Sequence, residues 1–582
     1  MNYLEIIKRF ALSFALLVPV TVSAVPAKPV LRTFTAADGT VLTYRLTGDE
    51  RNHFLVTSDG LPVVESADGS AFFFAVPGPD GRLVATETRA VDAQFRAAGL
   101  TEALRSRVDA ASAAAVPASR FARVPQNMLT TTFPSTGSPR ALVVLVNFTN
   151  EKFSMADPND YYTRLLNEEG FSEDGAIGSV RDYFSLCSMG QFTPKFDVYG
   201  PVTLKYSYSY YGQNDSNGDD RYPHEMAIEA CEQLDDIIDF NDYDNDRDGV
   251  IDNIYVFYAG QGEADGGSRN TVWPHSYDLN ELNIEKYFDG VQLNHYACSN
   301  ERYGTTPEGI GMFCHEFSHV MGLPDLYTTS YNSAYTPGEW TLLDQGAYNG
   351  DGCVPPLYSA FERLSMGWLQ PRVLGEPDDI LLDRLSTNDA CIIPTSLDNE
   401  FFLLENRQQE GFDQYLPGHG MLIWHIDYNE KKWADNVVNN TRTHQNVDIE
   451  EADDSQSDYK VSRASETFPG TKNRTSFTDN TAPSMRMWNN KGLEIPITEI
   501  SETAEGLITF KVKGGKAAGI ADAVAADATY NLVGRTLTSG APLSVYNMAG
   551  MFVGRGTRLE LPAPGLYILS LSDGSRRKII TH

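Results

Sequence analysis

The stretch FCHEFSHVMGLPDLY, residues 313–327, places the strongest constraint on how its part of the chain can fold. No proline precedes Pro324 in this stretch, so a helix is permitted. His315 and His319 then lie four residues apart on one helix face. Gly322 can adopt the left-handed conformation that ends a helix, and Pro324 prevents continuation. We therefore predict a helix that stops in a sharp turn just after the second histidine.

The residue types on this helix are those of a metal site. Two imidazoles on adjacent turns can hold one tetrahedral Zn²⁺ ion at about 2.0–2.1 Å. Glu316 follows the first histidine, near the ion but not on it, where a general base can take a proton from water. The turn can bring Asp325 back as the third ligand. Glu339 is the alternative third ligand, but the residues around it are typical of a turn rather than a second helix.

Several segments carry a resemblance to a known family. HEFSHVMGLPDLY resembles the motif of the immune-inhibitor-A-like secreted metallopeptidases, within the metzincin-type zinc proteases. Further segments similar to that family span roughly residues 30–512 and include DGTVLTYRLTGDERNHFLVTSDG, DNDRDGVIDNIYVFYAGQGEADGG, PPLYSAFERLSMGWL and FFLLENRQQEGFDQYLPGHGMLIWHIDY.

The resemblance implies a metzincin-like α/β catalytic domain preceded by a propeptide. It implies zinc bound by His315, His319 and Asp325, with Glu316 as the base. The implied activity is that of a secreted zinc endopeptidase acting on proteins or peptides.

The segment WTLLDQGAY departs from the pattern of metzincin-type enzymes. Leu343 stands where a methionine is expected, and Gln345 where a tyrosine often follows. Leucine fills similar apolar space. A phenol that hydrogen-bonds the developing oxyanion is then sought at Tyr348 or Tyr327, and the Gln345 amide can also donate. We predict an active enzyme, and the alternative is a non-catalytic zinc- and calcium-binding surface protein or adhesin.

An acidic stretch upstream, DNDRDGVID, predicts a second cation site. Its carboxylates Asp244, Asp246, Asp248 and Asp252 match the first nine positions of an EF-hand-type loop. Tyr255 occupies the twelfth position instead of glutamate, so the loop is not a full EF-hand. Bunched carboxylates repel one another unless a cation neutralises them. The sequence therefore predicts structural Ca²⁺, and a solvated acidic turn is the alternative.

The amino terminus is typical of an exported protein. Lys8 and Arg9 precede an apolar run, and Val22-Ser23-Ala24 resembles a signal-peptidase cleavage site. That run is too short to span a membrane, and no later segment reaches 18 apolar residues, so no membrane span is expected in the mature form. The net charge, 46 − 78 = −32, argues against nucleic-acid binding. We predict a secreted protein, extracellular or on the outer cell surface.

Changes in composition along the chain predict a multidomain α+β protein. Alternating runs between four Asp-Gly pairs predict a β-rich propeptide with a helix near its end, at 91–115. Strands and helices then mix, and short strands follow, which favours a C-terminal β-sandwich-type fold. The predicted divisions are signal peptide 1–24, propeptide 25–125, catalytic domain 139–375, β-rich accessory domain 376–513, linker 514–531 and C-terminal domain 532–582.

The last predicted domain resembles the type A sorting domains of type IX secretion. VYNMAGMFVGRG, APGLYILSLSDG and the basic end RRKIITH carry this resemblance. It implies that the secretion machinery is a partner and that the domain carries the protein across the outer membrane.

The positions of the cysteines limit how a precursor could be kept inactive and allow disulfides to form. The predicted propeptide has no cysteine, so no thiolate can cap the zinc. Asp49, His53 or steric blockage are the candidates for keeping a precursor inactive. The six cysteines of an exported chain permit disulfides.

Overall fold

The computed structural model describes most of the chain, in two compact units of residues 1–515 and 516–582. The described residues are 23–49, 53–66, 68–78, 83–92, 133–215, 218–330, 334–397, 399–456, 462–516, 530–547, 552–571 and 576–581. Nearly all of the predicted signal peptide and of the helix expected at 91–115 lies outside these residues. The boundary between the two units falls inside the predicted linker 514–531.

The first part of the larger unit is a six-stranded antiparallel sheet in which each strand pairs with the next along the chain. Its strands are Arg32–Thr35, Val41–Thr47, Phe54–Thr57, Pro62–Glu65, Phe72–Pro77 and Leu83–Arg89. Gly39, Gly60 and Gly69 adopt positive φ in three of the connecting turns, each within a predicted Asp-Gly pair. The hairpin-rich β prediction is confirmed for these turns, and the fourth pair, Asp80-Gly81, lies outside the described residues.

A second six-stranded sheet forms the framework of the next region. In spatial order its strands are Ser23–Ala24, His275–Asp278, His295–Asn300, Ile254–Tyr258, Arg140–Asn147 and Lys195–Thr203. The last four are parallel to one another, and His275–Asp278 is antiparallel to its inner neighbour. The two-residue strand Ser23–Ala24, from the far amino end of the described chain, extends the sheet beyond His275–Asp278.

Helices cover both faces of this sheet, and the mixture of strands and helices agrees with the sequence prediction. Among the described residues, the α-helices are Pro158–Asn167, Val180–Cys187, Tyr208–Gly212, Pro223–Leu234, Ile310–Val320, Ala360–Ser365 and Glu430–Ala434. Alternate side chains of the buried strand Arg140–Asn147 point to opposite faces of the sheet and pack into two different cores. Val143 packs in one core with Phe313 of the helix Ile310–Val320, and Val144 packs in the other with Met226 of Pro223–Leu234.

The region from residue 372 onward forms two facing sheets. The first has strands Arg372–Val373, Ala390–Pro394, Glu400–Arg407, Gly420–Asp427 and Val447–Ile449, and the second has Asp378–Leu382, Ile508–Val512, Ile497–Glu502 and Ser476–Phe477. Phe402 packs with Phe510 between the sheets. Its neighbour Phe401 joins the same core as Phe313. The predicted boundary near residue 375 therefore does not separate two cores, because both faces of Glu400–Arg407 are buried.

Shorter elements connect these parts. The remaining strands of the larger unit are Val250–Ile251, Lys286–Phe288, Val291–Leu293, Arg302–Tyr303 and Thr306–Pro307. The 3₁₀ helices are Phe240–Tyr243, Leu279–Leu282, Gly338–Trp340, Gln345–Gly352, Leu385–Thr387 and Gly411–Tyr415. No helix among the described residues is long and apolar enough to span a membrane.

The smaller unit is an antiparallel five-stranded sheet with its own core. Its strands are Tyr530–Val533, Thr536–Asn547, Phe552–Glu560, Gly565–Ser570 and Arg576–Thr581. Leu543, Val545 and Leu569 lie in that core.

All six cysteines are buried free thiols, so the disulfides that the sequence permits are not formed. Burial raises the pKa of the Cys187 thiol to about 12, which keeps it protonated.

Candidate metal centre

The helix Ile310–Val320 ends as its sequence predicts. Gly322 has φ +92°, the left-handed conformation expected of a helix-ending glycine. Its amide donates to His319 O at 2.8 Å, and the Leu323 amide donates to Ser318 O at 3.0 Å. Pro324 then prevents another turn. The chain reverses direction directly after the second histidine, which carries Asp325 back toward the helix.

Both histidine rings are held by backbone carbonyls. His315 Nδ1 lies 2.8 Å from Leu342 O, and His319 Nδ1 lies 2.8 Å from Leu323 O. A carbonyl oxygen can only accept, so each Nδ1 carries the hydrogen. Each Nε2 therefore presents a lone pair.

These lone pairs converge on a carboxylate. His315 Nε2 and His319 Nε2 each lie 3.2 Å from Asp325 Oδ1. The three atoms are buried and accept no hydrogen bond. Burial lowers the pKa of His315, favouring the neutral ring.

Three buried acceptors at this separation require a shared cation or proton. Ligand atoms about 2.0–2.1 Å from a tetrahedral ion lie about 3.3–3.4 Å apart, close to the observed 3.2 Å. Two imidazole nitrogens and one carboxylate oxygen are also donors that zinc accepts. The residues present therefore fit a zinc ion.

Asp325 is positioned by a residue that sequence reasoning missed. Asn436 accepts from the Asp325 amide at 2.8 Å and donates to Asp325 Oδ2 at 2.6 Å. Nearby, Trp433 Nε1 donates to Gly322 O at 3.0 Å. These contacts join residues 111 positions apart, and no local motif in the sequence indicates them. Asn436 fixes both the backbone and the carboxylate of Asp325.

Glu316 lies on the same helix and contacts the amino-terminal segment of the described chain. It is fully buried. Its Oε1 accepts a hydrogen bond from the Val25 amide at 2.8 Å. A peptide nitrogen therefore lies directly against the predicted general base.

The segment Val25–Lys28, which we call the cleft segment, is bound through its backbone. Trp273 Nε1 donates to Val25 O at 3.2 Å, and the Tyr348 hydroxyl donates to Pro26 O at 2.7 Å. The Lys28 amide donates to Ala264 O at 3.1 Å. With the pairing of Ser23–Ala24 on the edge strand, these contacts hold the chain as an extended peptide along the site.

The segment Gln345–Gly352, which carries Tyr348, lies tightly against the site helix. A Cβ on Gly311 would lie 2.0 Å from Ala347 O, so only glycine permits this approach. Leu343, predicted to replace a methionine, is fully buried in the core around the helix. Gln345 is half-buried.

Other candidate residues lie outside the converging group. Glu339, the alternative third ligand, is half-buried and lies 3.5 Å from Arg463 Nη1. Tyr327 places its hydroxyl 3.5 Å from Asp49 Oδ2. His53, considered for latency with Asp49, stacks on Trp273 at 4.7 Å between ring centroids. Among the described residues, the cluster at the site helix contains only His315, His319 and Asp325.

The acidic loop brings together three of its four predicted ligands. Asp244, Asp246 and Asp248 offer carboxylate oxygens within 4.8 Å of one another, while Asp252 is not part of this group. Oxygens of all three accept from amides of the loop itself, for example Gly249 N to Asp244 Oδ2 at 3.0 Å. Asp252 instead accepts from the Asn245 amide at 2.9 Å. The calcium assignment stays a prediction.

A buried charged histidine lies in the β region. His425 Nε2 is 2.9 Å from Glu400 Oε1, and its Nδ1 is 3.0 Å from Glu450 Oε1. Burial lowers the pKa of His425, but the two carboxylates outweigh it and raise the pKa to about 9. Asp448 pairs with it across the strands, and burial raises the pKa of Asp448 to about 7.

This arrangement predicts a loss of stability in mild alkali. The folded pKa of His425 exceeds its unfolded value, so its contribution is complete below pH 6.5 and disappears as pH rises through about 9. The shift corresponds to about 3 kcal/mol of unfolding free energy. Asp448 is half-titrated at about pH 7, so denaturation measured between about pH 8 and 10 reports mainly His425. We expect His425→Gln to flatten the curve in that range, and an unchanged slope contradicts the assignment.

Comparison with known proteins adds independent information. Residues 143–376 match the family model described as immune inhibitor A peptidase M6, catalytic domain. The pre-pro-metalloprotease PrtV of Vibrio cholerae serotype O1 is 26% identical over 238 residues, covering 36% of this chain and 26% of PrtV. Immune inhibitor A of Bacillus thuringiensis subsp. alesti is 24% identical over 262 residues, covering 38% of each chain.

The matched part contains the site helix and Asp325 but not Asn436. The chain spans between about a quarter and two fifths of the length of these relatives. The similarity to these metalloproteases is limited to part of the chain.

Proposed function

We propose that this chain is a secreted zinc-dependent endopeptidase, made as a precursor, that hydrolyses peptide bonds of proteins. One observation carries the proposal. Two imidazole nitrogens each lie 3.2 Å from one carboxylate oxygen in a buried site, on the helix that also carries a buried glutamate. The similarity of residues 143–376 to peptidase M6 catalytic domains supports the same reaction class.

In the proposed mechanism His315, His319 and Asp325 hold the zinc. When bound, zinc polarises the carbonyl of the peptide to be cleaved and lowers the pKa of a bound water to about 7. Glu316 accepts the proton of the attacking water and passes it to the leaving nitrogen. The Val25 amide, 2.8 Å from Glu316 Oε1, supports this role because it marks where a peptide nitrogen meets the carboxylate. The carbonyls of Leu342 and Leu323 keep the imidazoles oriented.

For Tyr348 we propose a substrate-binding role in place of the expected contact with the oxyanion. Its hydroxyl donates to Pro26 O, one residue beyond the nitrogen that contacts Glu316. A substrate lying like the cleft segment would offer Tyr348 a backbone carbonyl on its leaving-group side. The intact Glu316 argues against the alternative of a non-catalytic adhesin, which needs no general base.

The test is metal-dependent proteolysis. Purified, processed protein should cleave casein or gelatin, lose that activity with a chelator, and regain it when zinc is restored. Cleavage that continues after a chelator has removed the zinc would contradict the zinc mechanism. A processed protein that cleaves nothing would favour the adhesin.

We propose that the cleft segment keeps the precursor latent. Val25 is fully buried, in a cluster with Met312 and Trp273, and its amide occupies Glu316. Signal-peptide removal after Ala24, as the sequence predicts, would place an α-ammonium group at Glu316, and such a charge-assisted hydrogen bond is stronger than that of an amide. Latency then comes from the segment and not from Asp49 or His53.

Expelling the cleft segment should activate the unprocessed chain. Val25→Asp buries a carboxylate beside Glu316 and loses the apolar contacts of Val25, which contribute about 1.5–3 kcal/mol. We expect the initial rate on a fluorogenic peptide to rise about tenfold or more. Val30→Asp is the matched control, because Val30 is exposed. Equal rates for intact wild type and Val25→Asp would refute this form of latency.

Export remains part of the proposal. Residues 1–24 would direct the chain out of the cytoplasm, and residues 532–582 would engage the secretion machinery. The independently packed sheet of the C-terminal unit is compatible with a separable sorting domain.

A further inference from the structure

A lysine of the cleft segment is held in a buried acidic recess. The Lys28 ammonium lies 3.6 Å from the centroid of the Tyr303 ring and 5.4 Å from that of Tyr348. Cation–π contacts of this kind attract an ammonium group. Lys28 Nζ is itself buried and donates no hydrogen bond. The recess thus binds the Lys28 side chain mainly through electrostatic attraction and contact with aromatic ring faces.

Two carboxyl groups form the acidic part of the recess. Asp265 and Glu308 are both buried, and Asn300 Nδ2 donates to Asp265 Oδ2 at 2.9 Å and to Glu308 Oε2 at 3.4 Å. Asp265 and Glu308 also hydrogen-bond to each other, so one proton shared between them leaves the pair one negative charge. A buried negative charge is costly unless a cationic group lies near it. The recess therefore favours a positive side chain.

The charges of the recess and of Lys28 act on one another. Burial raises the pKa of Asp265 to about 6 and that of Glu308 well above its usual range. The positive charge of Lys28 opposes both shifts. A cavity of about 400 Å³ continues beside Lys28, between Asp265 and Tyr303. That space is large enough for the longer side chain of arginine.

The cleft segment relates the recess to the reacting bond. The Val25 amide contacts Glu316, so Val25 takes the position of the first residue of a leaving fragment. Lys28 is the fourth residue of that fragment. The backbone between them is held by groups that any extended peptide could use, namely Tyr348 and the Ala264 carbonyl.

We propose that Asp265 and Glu308 form a specificity subsite that selects lysine or arginine at the fourth residue of the leaving fragment of a substrate. The inference rests on the proposed peptidase function. In the precursor, Lys28 fills the same subsite and helps to retain the cleft segment. Asp265 and Glu308 are specificity residues rather than catalytic ones, because the side chain whose charge acts on them is remote from the bond that breaks.

The first experiment does not depend on catalysis. Hydrogen exchange of residues 25–33 is measured in the full chain for wild type, Lys28→Arg, Lys28→Glu and Asp265→Asn. We expect Lys28→Arg to retain protection, and Lys28→Glu and Asp265→Asn to exchange at least tenfold faster. Glu263→Gln is the matched control, because Glu263 is a nearby buried acid that instead accepts from Asn214 at 3.2 Å. Unchanged exchange in Lys28→Glu overturns the recess as a cation site.

The second experiment profiles cleavage sites in a peptide library by mass spectrometry, with the processed protein. We expect lysine and arginine to be enriched at least fivefold at the fourth residue of new amino-terminal fragments. Asp265→Asn should reduce that enrichment to twofold or less, whereas the matched control Glu263→Gln should keep it at the wild-type level. Cleavage without enrichment overturns the subsite alone and leaves Lys28 with a role only in latency. A wild type that cleaves nothing overturns the proposed function, and the subsite with it.

Discussion

Replacing Glu316 by glutamine should lower kcat/KM for peptide hydrolysis by about 10²–10⁴-fold, the range typical of a general acid–base group. Glutamine keeps the size of the buried side chain and can still contact a substrate amide through its carbonyl oxygen. It has no carboxylate to accept the proton of the attacking water. The loss should therefore appear in kcat, with KM nearly unchanged.

Metal content separates this effect from a damaged site. Glu316→Gln should retain about one zinc per chain, because the three converging ligand atoms are untouched. Glu339→Gln is the control for removing an acidic charge, since Glu339 is half-buried and paired with Arg463. It should keep wild-type activity. Full activity in Glu316→Gln with normal zinc content would exclude Glu316 as the base.

Replacing Asp325 by alanine should abolish zinc binding. Zinc content, measured by mass spectrometry after dialysis, should fall from about one ion per chain to near zero, because two imidazoles alone form an incomplete tetrahedral site. Glu339→Ala should bind zinc like wild type. Loss of zinc in Glu339→Ala together with retention of zinc in Asp325→Ala would instead identify Glu339 as the third ligand.

Replacing Asn436 should weaken zinc binding without abolishing it. Asn436→Ala leaves all three ligand atoms in place but removes both contacts that orient Asp325. Loss of such a supporting contact typically costs about 10–100-fold in metal affinity. An affinity within twofold of wild type would show that Asp325 is positioned without Asn436.

Local sequence patterns predicted the elements that depend on neighbouring residues. The helix that carries His315 and His319, its end at Gly322 and the buried strand Arg140–Asn147 all follow from spacing, glycine and proline. Each of these features is determined within a dozen residues, so one sequence is enough to reveal it.

Features that join distant parts of the chain were not predictable in this way. Asn436 lies 111 residues from Asp325, and Val25 lies 291 residues from Glu316. Nothing in the local pattern around either partner encodes the contact. The shared core also escaped prediction, because the buried run FFLLEN has the same pattern whether its second face meets another sheet or another domain.

The bond between Asp325 and Asn436 has a consequence for the order of biosynthesis. A polypeptide emerging from the ribosome presents both histidines and Asp325 more than a hundred residues before Asn436 exists. By then the cleft segment has long been available to cover Glu316. Under the proposed function, the nascent chain therefore acquires the segment that covers Glu316 first and the residue that orients Asp325 last.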